Sequence, residues 1–346
     1  MSRYDLLRRQ LAAQPHRWLV TGVAGFIGSH LLEALLLLDQ EVVGLDNFTS
    51  GSKRNLDEVR SGVSAPQWAR FSLHEGSVTN LETCRAVCAG ADYVLHQAGF
   101  VSVPLSLENS LACHETNVTG TLHILLAARD ARVRRVVYAS SSAVYGDDPR
   151  LPKVESQIGR PLSPYGASKQ IAEIYARLFH DQFNLEAIGL RYFNIFGPRQ
   201  DPAGGYAAVI PHWIARILHG EPCVIHGDGS MSRDFCPVAD VVQANLLAAT
   251  SDARIGPETV LNVALGGGTT LAQLHALLAG AATSLDLAKP RPAILGPARA
   301  GDIVHSVADI SAARRLIGFE SSTGLGPALV ETMRWYSAIR FPHSAS

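Results

Sequence analysis

The sequence predicts an α/β protein: a doubly wound parallel sheet followed by a smaller, more loop-rich α/β region. Three observations carry this. Short apolar runs alternate with helix-length segments over about the first 195 residues. Three glycines, Gly22, Gly25 and Gly28, punctuate the junction between the first apolar run and the first long apolar helix. The next apolar run ends in an acid, Asp46, 24 residues after Gly22.

Trp18 to Val20 reads as the first buried strand. Gly22 permits the tight turn after it, Gly25 lets the backbone approach a pyrophosphate, and Gly28 lets helix and strand pack closely. The helix is expected from Phe26 to Leu38. Its first residues, Phe26 and Ile27, offer N–H groups and a positive dipole end to phosphates. The spacing is GxxGxxG rather than GxGxxG, and a plain strand–helix turn is the alternative. The second strand, Glu41 to Asp46, weighs against that alternative. Asp46 stands where a carboxylate grips the ribose hydroxyls of an adenosine, and it repels a 2′-phosphate, which favours NAD over NADP. Asn47 and the turn Thr49-Ser50-Gly51 complete the adenosine end. The first half thus reads as a Rossmann-type nucleotide-binding sheet.

A third strand is expected from Trp68 to Leu73 and a fourth from Asp92 to Gln97, with a turn at Ala98, Gly99 and Phe100. A long helix is expected from Leu107 to Ala131. The fifth strand, Arg135 to Ser140, delivers Ser140, Ser141 and Ser142 at its C-terminal end. Helix Tyr165 to Phe183 and strand Glu186 to Arg191 follow. Ligands of open α/β sheets bind outside the C-terminal ends of the strands, and every motif falls at such an end.

Tyr165 and Lys169 are four residues apart and share one helix face. An ammonium beside a phenol stabilises the phenolate, so Tyr165 is expected to act as a base well below its free pKa of about 10. Any surface helix can carry such a pair. With a nucleotide turn and a serine run upstream, the pair points to hydride chemistry on a hydroxyl.

Composition bounds the rest. At 346 residues with 47% hydrophobic residues, the chain can bury a large core and is globular. A formal net charge of −1 gives no case for a nucleic-acid or membrane surface. Five irregularly spaced cysteines suggest a reducing compartment, and Cys84 and Cys88 read as packed thiols rather than half a metal site. Leu31 to Leu38 is too short to span a bilayer and Met1 to Arg17 has no signal-like apolar core, so a cytoplasmic location is expected. From Tyr192 onward Pro and Gly punctuate shorter elements. Residues 1–191 are therefore expected to form the nucleotide domain. Residues 192–346 form a second region, some segments of which return to the first, with a cleft between.

The chain resembles the extended short-chain dehydrogenases/reductases, specifically the nucleotide-sugar 4-epimerases. The likeness runs through TGVAGFIGSHL from Thr21, GLDNF from Gly44, HQAG from His96, ETNVTGT from Glu115, SSSAVYGD from Ser140 and SPYGASK from Ser163. It continues through LRYFNIFGPRQ from Leu190, GDGSMSRDF from Gly227 and RAGDIVHS from Arg299. It is nearest to the epimerases that prefer N-acetylated UDP-hexoses, including those of bacterial surface-polysaccharide pathways.

The resemblance implies roles. Tyr165 takes the proton from the sugar 4-OH as hydride leaves C4 for NAD. Lys169 holds the nicotinamide ribose, and Ser141 shuttles the proton with Ser142 beside it. Around the cofactor it implies Ser77, Val78, Gln97, Ala98, Gly99, Asn117 and Tyr192 as further contacts. On the substrate side Arg233 and Arg299 are implied as diphosphate anchors, suited to it because guanidinium binds phosphate in bidentate fashion. Either arginine can also be an ordinary surface residue. Asp302 matches a uridine-ribose contact and Asn194 a sugar-nucleotide contact. Ser102, Ala208, Val209 and Val224 fall at other substrate-lining positions. A homodimer through a four-helix bundle is implied for the helices near 107–131 and 165–183.

Departures from the family pattern matter too. Ser77 stands where an Asp usually meets the adenine amino group, and Gly99 ends the usual HxAA run. Ser306 replaces the bulky Tyr of related hexose-only epimerases, which opens space for a 2-acetamido group. The Thr-Asp-Glu set of 4,6-dehydratases is absent. The expected activity is interconversion of UDP-N-acetylglucosamine and UDP-N-acetylgalactosamine, or their uronic acids. Epimerisation of UDP-glucose or UDP-glucuronate, a reductase, a decarboxylase, or an idle NAD-binding sensor are the alternatives.

Overall fold

The computed structural model describes residues 1–202, 208–251, 260–287, 289–297 and 304–339. Helix α1 (Arg3–Ala13) is closed by a Ser2–Asp5 capping box. Then β1 (Arg17–Thr21), α2 (Phe26–Leu37), β2 (Glu41–Asp46), α3 (Lys53–Gly62), α4 (Ala65–Trp68) and β3 (Phe71–Glu75) follow. Next come α5 (Leu81–Cys88), β4 (Tyr93–His96), α6 (Val103–Glu108), α7 (Ser110–His114), a π-helical turn (Glu115–Thr119) and α8 (Gly120–Asp130). Strand β5 (Arg135–Ser141), a 3₁₀ turn (Ser142–Tyr145), α9 (Pro164–Phe183) and β6 (Ala187–Tyr192) complete the first half.

Two expectations need correction. Trp68 is helical, and the third strand starts at Phe71. Ser64 and Gln67 form a capping box around Pro66, which favours one helical turn over a strand start. The helix expected from Leu107 to Ala131 is divided. Asn109 leaves helical geometry at φ −136°, ψ 72°, and its side chain caps α7 by accepting from Ala112 N–H at 3.1 Å.

The second half holds β7 (Ile195–Phe196), α10 (Val209–Leu218), β8 (Val224–His226), β9 (Ser232–Arg233), β10 (Cys236–Pro237) and α11 (Val238–Thr250). It goes on through β11 (Val260–Val263), β12 (Thr269–Thr270), α12 (Leu271–Ser284), β13 (Ile294–Gly296), β14 (His305–Ser306), α13 (Ser311–Ile317) and α14 (Leu325–Ala338).

The main sheet is parallel, seven-stranded and ordered β11-β6-β5-β4-β1-β2-β3. The winding direction reverses between β1 and β4, the switch point where such sheets bind ligands. Register brings the strand ends to one edge: Thr21 lies opposite Leu45 and His96, and Ser141 lies opposite Tyr192. Successive residues of β1 bury on opposite faces. Trp18 and Val20 pack with Leu31, Leu32 and Leu35 of α2 and Leu246 of α11. Leu19 packs with Val94, Ile124, Leu125 and Phe179 on the other face. A separate core gathers α10, α12 and α14 around Trp213, Leu278, Leu329 and Met333. Three small sheets, β10-β7, β12-β9-β14 and β13-β8, complete the second half. Cys84 and Cys88 pack in the core, and burial pushes each thiol up to about 12. Among the described residues, no helix is long and apolar enough to cross a membrane.

Candidate active site

The glycine turn has the shape a dinucleotide requires. Gly22 sits at φ +67°, and a Cβ there would lie 2.8 Å from the Ala98 nitrogen. A Cβ on Gly28 would lie 2.0 Å from the Gly22 carbonyl oxygen, so helix and strand approach as only glycine allows. Gly25 caps α2, and Phe26 and Ile27 open it. The first amides of a helix have no acceptor within it, so they face the space above the turn.

Asp46 ends β2 and is 7% exposed. Its Oδ2 accepts from Ala24 N–H at 2.8 Å and its Oδ1 from Phe48 N–H at 2.8 Å. A carboxylate has about four acceptor positions, so two remain for other donors such as hydroxyls. Gly51 packs against it, since a Cβ there would be 2.8 Å from Oδ1. Asn47 and Ser50 are exposed beside it, and Asn47 folds its own turn by accepting from Thr49 N–H at 3.1 Å. The cradle and the carboxylate fit NAD. Ser77 turns inward on Thr79, accepting its N–H at 3.2 Å, and Val78 is buried.

Ser141, Tyr165 and Lys169 converge. Tyr165 is the second residue of α9, whose cap Ser163 accepts from Gly166 N–H at 3.1 Å. Ser141, whose Oγ accepts from Ala143 N–H at 3.1 Å, lies close enough to the Tyr165 hydroxyl to pull its pKa down. Ser142 opens the 3₁₀ turn beside them, half-buried. Lys169 Nζ lies 5.8 Å from the Tyr165 ring centre and donates to the Ala139 carbonyl at 2.9 Å.

The expected lowering of the phenol is not present in the chain alone. Burial raises the Tyr165 pKa above 10.0, and Ser141 opposes this only in part. Lys169 is itself 6% exposed, and burial lowers it to about 8. Desolvation is thus the largest influence on the phenol in the chain alone.

Other named positions form a supporting layer. Tyr192 donates its hydroxyl to Gln97 Oε1 at 3.0 Å, and Asn245 bonds both residues. The Ala98 amide donates to Thr21 Oγ1 at 3.1 Å. Asn117, in the π turn, accepts from Phe100 N–H at 2.7 Å and donates to Ser168 Oγ at 2.9 Å, tying the β4 turn to α9. A Cβ on Gly99 would stand 3.1 Å from Asn117 Oδ1 and 3.4 Å from Lys169 Nζ, so this glycine lies directly over the lysine.

On the second half, Arg233 and Ser306 are register neighbours on β9 and β14. Arg233 Nη1 donates to Ser232 and Val304 carbonyls at 3.0 and 3.2 Å. Asn194 is exposed at φ +37°, and its amide donates to the Asp234 carbonyl at 2.9 Å. Ser102 caps α6, accepting from Leu105 N–H at 3.2 Å. Ala208 and Val209 begin α10, and Val224 lies on β8 opposite Ile294. Arg299 and Asp302 lie outside the described residues.

The profile of the NAD dependent epimerase/dehydratase family matches residues 18–264. The chain belongs to this family. A solved UDP-N-acetylglucosamine 4-epimerase from Methanobrevibacter ruminantium is 36% identical, with a TM-score of 0.84 over 94% of this chain and 99% of that one. The UDP-glucose 4-epimerase of Mycolicibacterium smegmatis is 34% identical over 92% of this chain and 98% of its own. The UDP-glucuronate 4-epimerase of Thermodesulfobacterium geofontis is 30% identical over 92% and 95%. The chain is accordingly an NAD-dependent isomerase, a UDP-sugar 4-epimerase.

The sequence reading of this epimerase passed over Glu173. It follows Tyr165 and Lys169 at the same four-residue interval, and that was the available signal. Its carboxylate accepts from Ser140 Oγ at 2.5 Å and forms a two-point pair with Arg191 at 2.9 and 2.8 Å. With Cys113, it helps hold the Lys169 charge against burial. A cleft of ≈ 830 Å³ on that side of α9 is lined by Glu173 together with Ile158, Ile174, Arg177 and Arg315.

Proposed function

We propose that this epimerase interconverts UDP-N-acetylglucosamine and UDP-N-acetylgalactosamine. The observation that carries the reading is Ser306. A small side chain stands beside Arg233 in the β9–β14 register, and in this reading a bulkier one would take the space of a C2 acetamido group. The similarity to the M. ruminantium enzyme supports the same substrate class.

In this reading Tyr165 Oη removes the proton of the sugar 4-OH, with Ser141 Oγ beside it to relay the proton. NAD, when bound, would supply the acceptor and donor of the C4 hydride and, in its oxidised form, a positive charge. Lys169 would hold the cofactor ribose, and its ammonium with the charge of oxidised NAD would offset the burial that raises the phenol. The 4-keto sugar then turns over while Arg233 keeps the diphosphate, so that C4 regains hydride on its opposite face and Tyr165 returns the proton to O4. Gly22, Gly25 and Gly28 receive the cofactor diphosphate, and Asp46 the adenosine ribose.

A second copy of the chain is proposed to cover the apolar faces of α6, α7 and α9. Leu107 and Leu111 there are 65% and 67% exposed, and Ile174 is 59% exposed. The five free buried thiols suit a reducing cytoplasm. The test is incubation with separate UDP-hexoses, their N-acetyl forms and their uronic acids, without added NAD, followed by NMR of the products. Turnover confined to UDP-glucose or UDP-glucuronate would refute the N-acetylhexosamine assignment.

A further inference from the structure

Asp234 is fully buried immediately after β9, away from the reacting groups. Its Oδ1 accepts from Leu265 N–H at 2.9 Å, and its Oδ2 accepts from Gly266 N–H at 3.0 Å and Ala308 N–H at 3.3 Å. Its backbone N–H donates to the Ser306 carbonyl at 2.8 Å, and its carbonyl accepts from Asn194 Nδ2 at 2.9 Å. Five hydrogen bonds from three chain segments thus end on one residue. Leu265 and Gly266 follow β11, a strand of the main sheet, while Ala308 bridges to Lys153. Asp234 therefore fixes the β12-β9-β14 sheet to the edge of the main sheet.

We infer that Asp234 is the positioning residue for the substrate side of the site, holding Arg233, Asn194 and Ser306 in one arrangement. The inference rests on reading those three as substrate contacts. They come from separate segments, and each is joined to Asp234 by the chain or by a hydrogen bond. Asn194 sits in the left-handed region, uncommon for a residue with a side chain, and its bond to Asp234 fastens it there. Burial also pushes the Asp234 carboxyl up to about 6, against the pull of its amides, and an apolar residue there would leave three N–H groups without an acceptor. None of these bonds reaches β5 or α9, which carry Ser141, Tyr165 and Lys169. Loss of the carboxylate should therefore weaken substrate binding and spare NAD and the chemical step.

The test uses the NAD-loaded protein and UDP as the probe. Asp234→Asn keeps the shape but replaces one acceptor oxygen by a donor facing amide N–H groups. The dissociation constant for UDP and the KM should rise by about tenfold or more, as for a lost buried hydrogen bond to a charge. The kcat should stay within about threefold and bound NAD should be unchanged. In an Arg233→Ala background the same change should cost less than it does alone, because the two act through one contact. If Arg233→Ala weakens UDP binding and folded Asp234→Asn does not, the positioning inference is overturned while the substrate reading stands. If Arg233→Ala leaves UDP affinity unchanged, the substrate reading fails and this inference falls with it. Equal losses in NAD content, kcat and UDP affinity would make Asp234 a general fold residue and overturn the inference as well.

Discussion

Gly28→Ala adds one carbon where the backbone leaves no room. The new Cβ would lie 2.0 Å from the Gly22 carbonyl oxygen and 2.7 Å from its carbonyl carbon. Both atoms are backbone in a turn that is hydrogen-bonded to Leu45, so they cannot rotate away as a side chain would. Restoring ordinary contact requires α2 to retreat by more than about 1 Å, and overpacking of this kind typically costs about 1–3 kcal/mol or more. For a chain of 346 residues that is a melting-point loss of roughly 1–4 °C. The same movement displaces the Phe26 and Ile27 amides from the cofactor diphosphate, and a misplacement of that size can weaken function about a hundredfold. The assay is NAD content of the purified protein, read after denaturation, beside a thermal melt. Gly25→Ala is the comparison, since its Cβ would meet the Gly22 oxygen at 3.1 Å. A Gly28→Ala protein that melts like the parent and retains full NAD would refute this account of the turn.

Tyr165→Phe should keep the fold and bound NAD but lose about 10²–10⁴-fold in kcat, measured by product NMR; near-normal turnover would exclude the phenol as the base. Lys169 has its pKa lowered to about 8, so its ammonium is intact below that pH and lost above it. The kcat/KM profile should accordingly fall on the alkaline side from about pH 8, and a flat profile to pH 10 would count against a working ammonium. Ser306→Tyr should lower kcat/KM for the N-acetylated UDP-sugars by roughly 5- to 150-fold while sparing UDP-glucose and UDP-galactose. An unchanged ratio between the two pairs would remove Ser306 as the gate.

The parts legible in the sequence were those written in local pattern. The glycine turn, Asp46, the serine strand end and the Tyr165–Lys169 spacing each encode position through strand ends or helix period, and the fold brings them to one edge. The third strand was misplaced because the Ser64–Gln67 capping box competes with the apolar residues Trp68 and Phe71. The division of the helix at Asn109 was a cap signal inside an apolar run. The raised Tyr165 phenol was not legible, since burial depends on what packs around a residue rather than on its neighbours in sequence. Gln97 and Tyr192 bond to each other through contacts 95 residues apart, and no spacing announces such a pair.

Strand β11 has a consequence for how the molecule can move and be divided. The chain leaves the sheet at Tyr192, builds much of the second half, and then returns to lay Val260–Val263 along β6. Helix α11, between those points, contributes Val241 and Leu246 to the same core as Trp18. The second half is stitched to the first at several places rather than hung from one hinge. A cut near residue 192 would leave a sheet with a raw edge strand and an uncovered face, so neither fragment should persist alone. Opening and closing over a ligand then falls to short loops and side chains above the sheet, not to the swing of a free lobe.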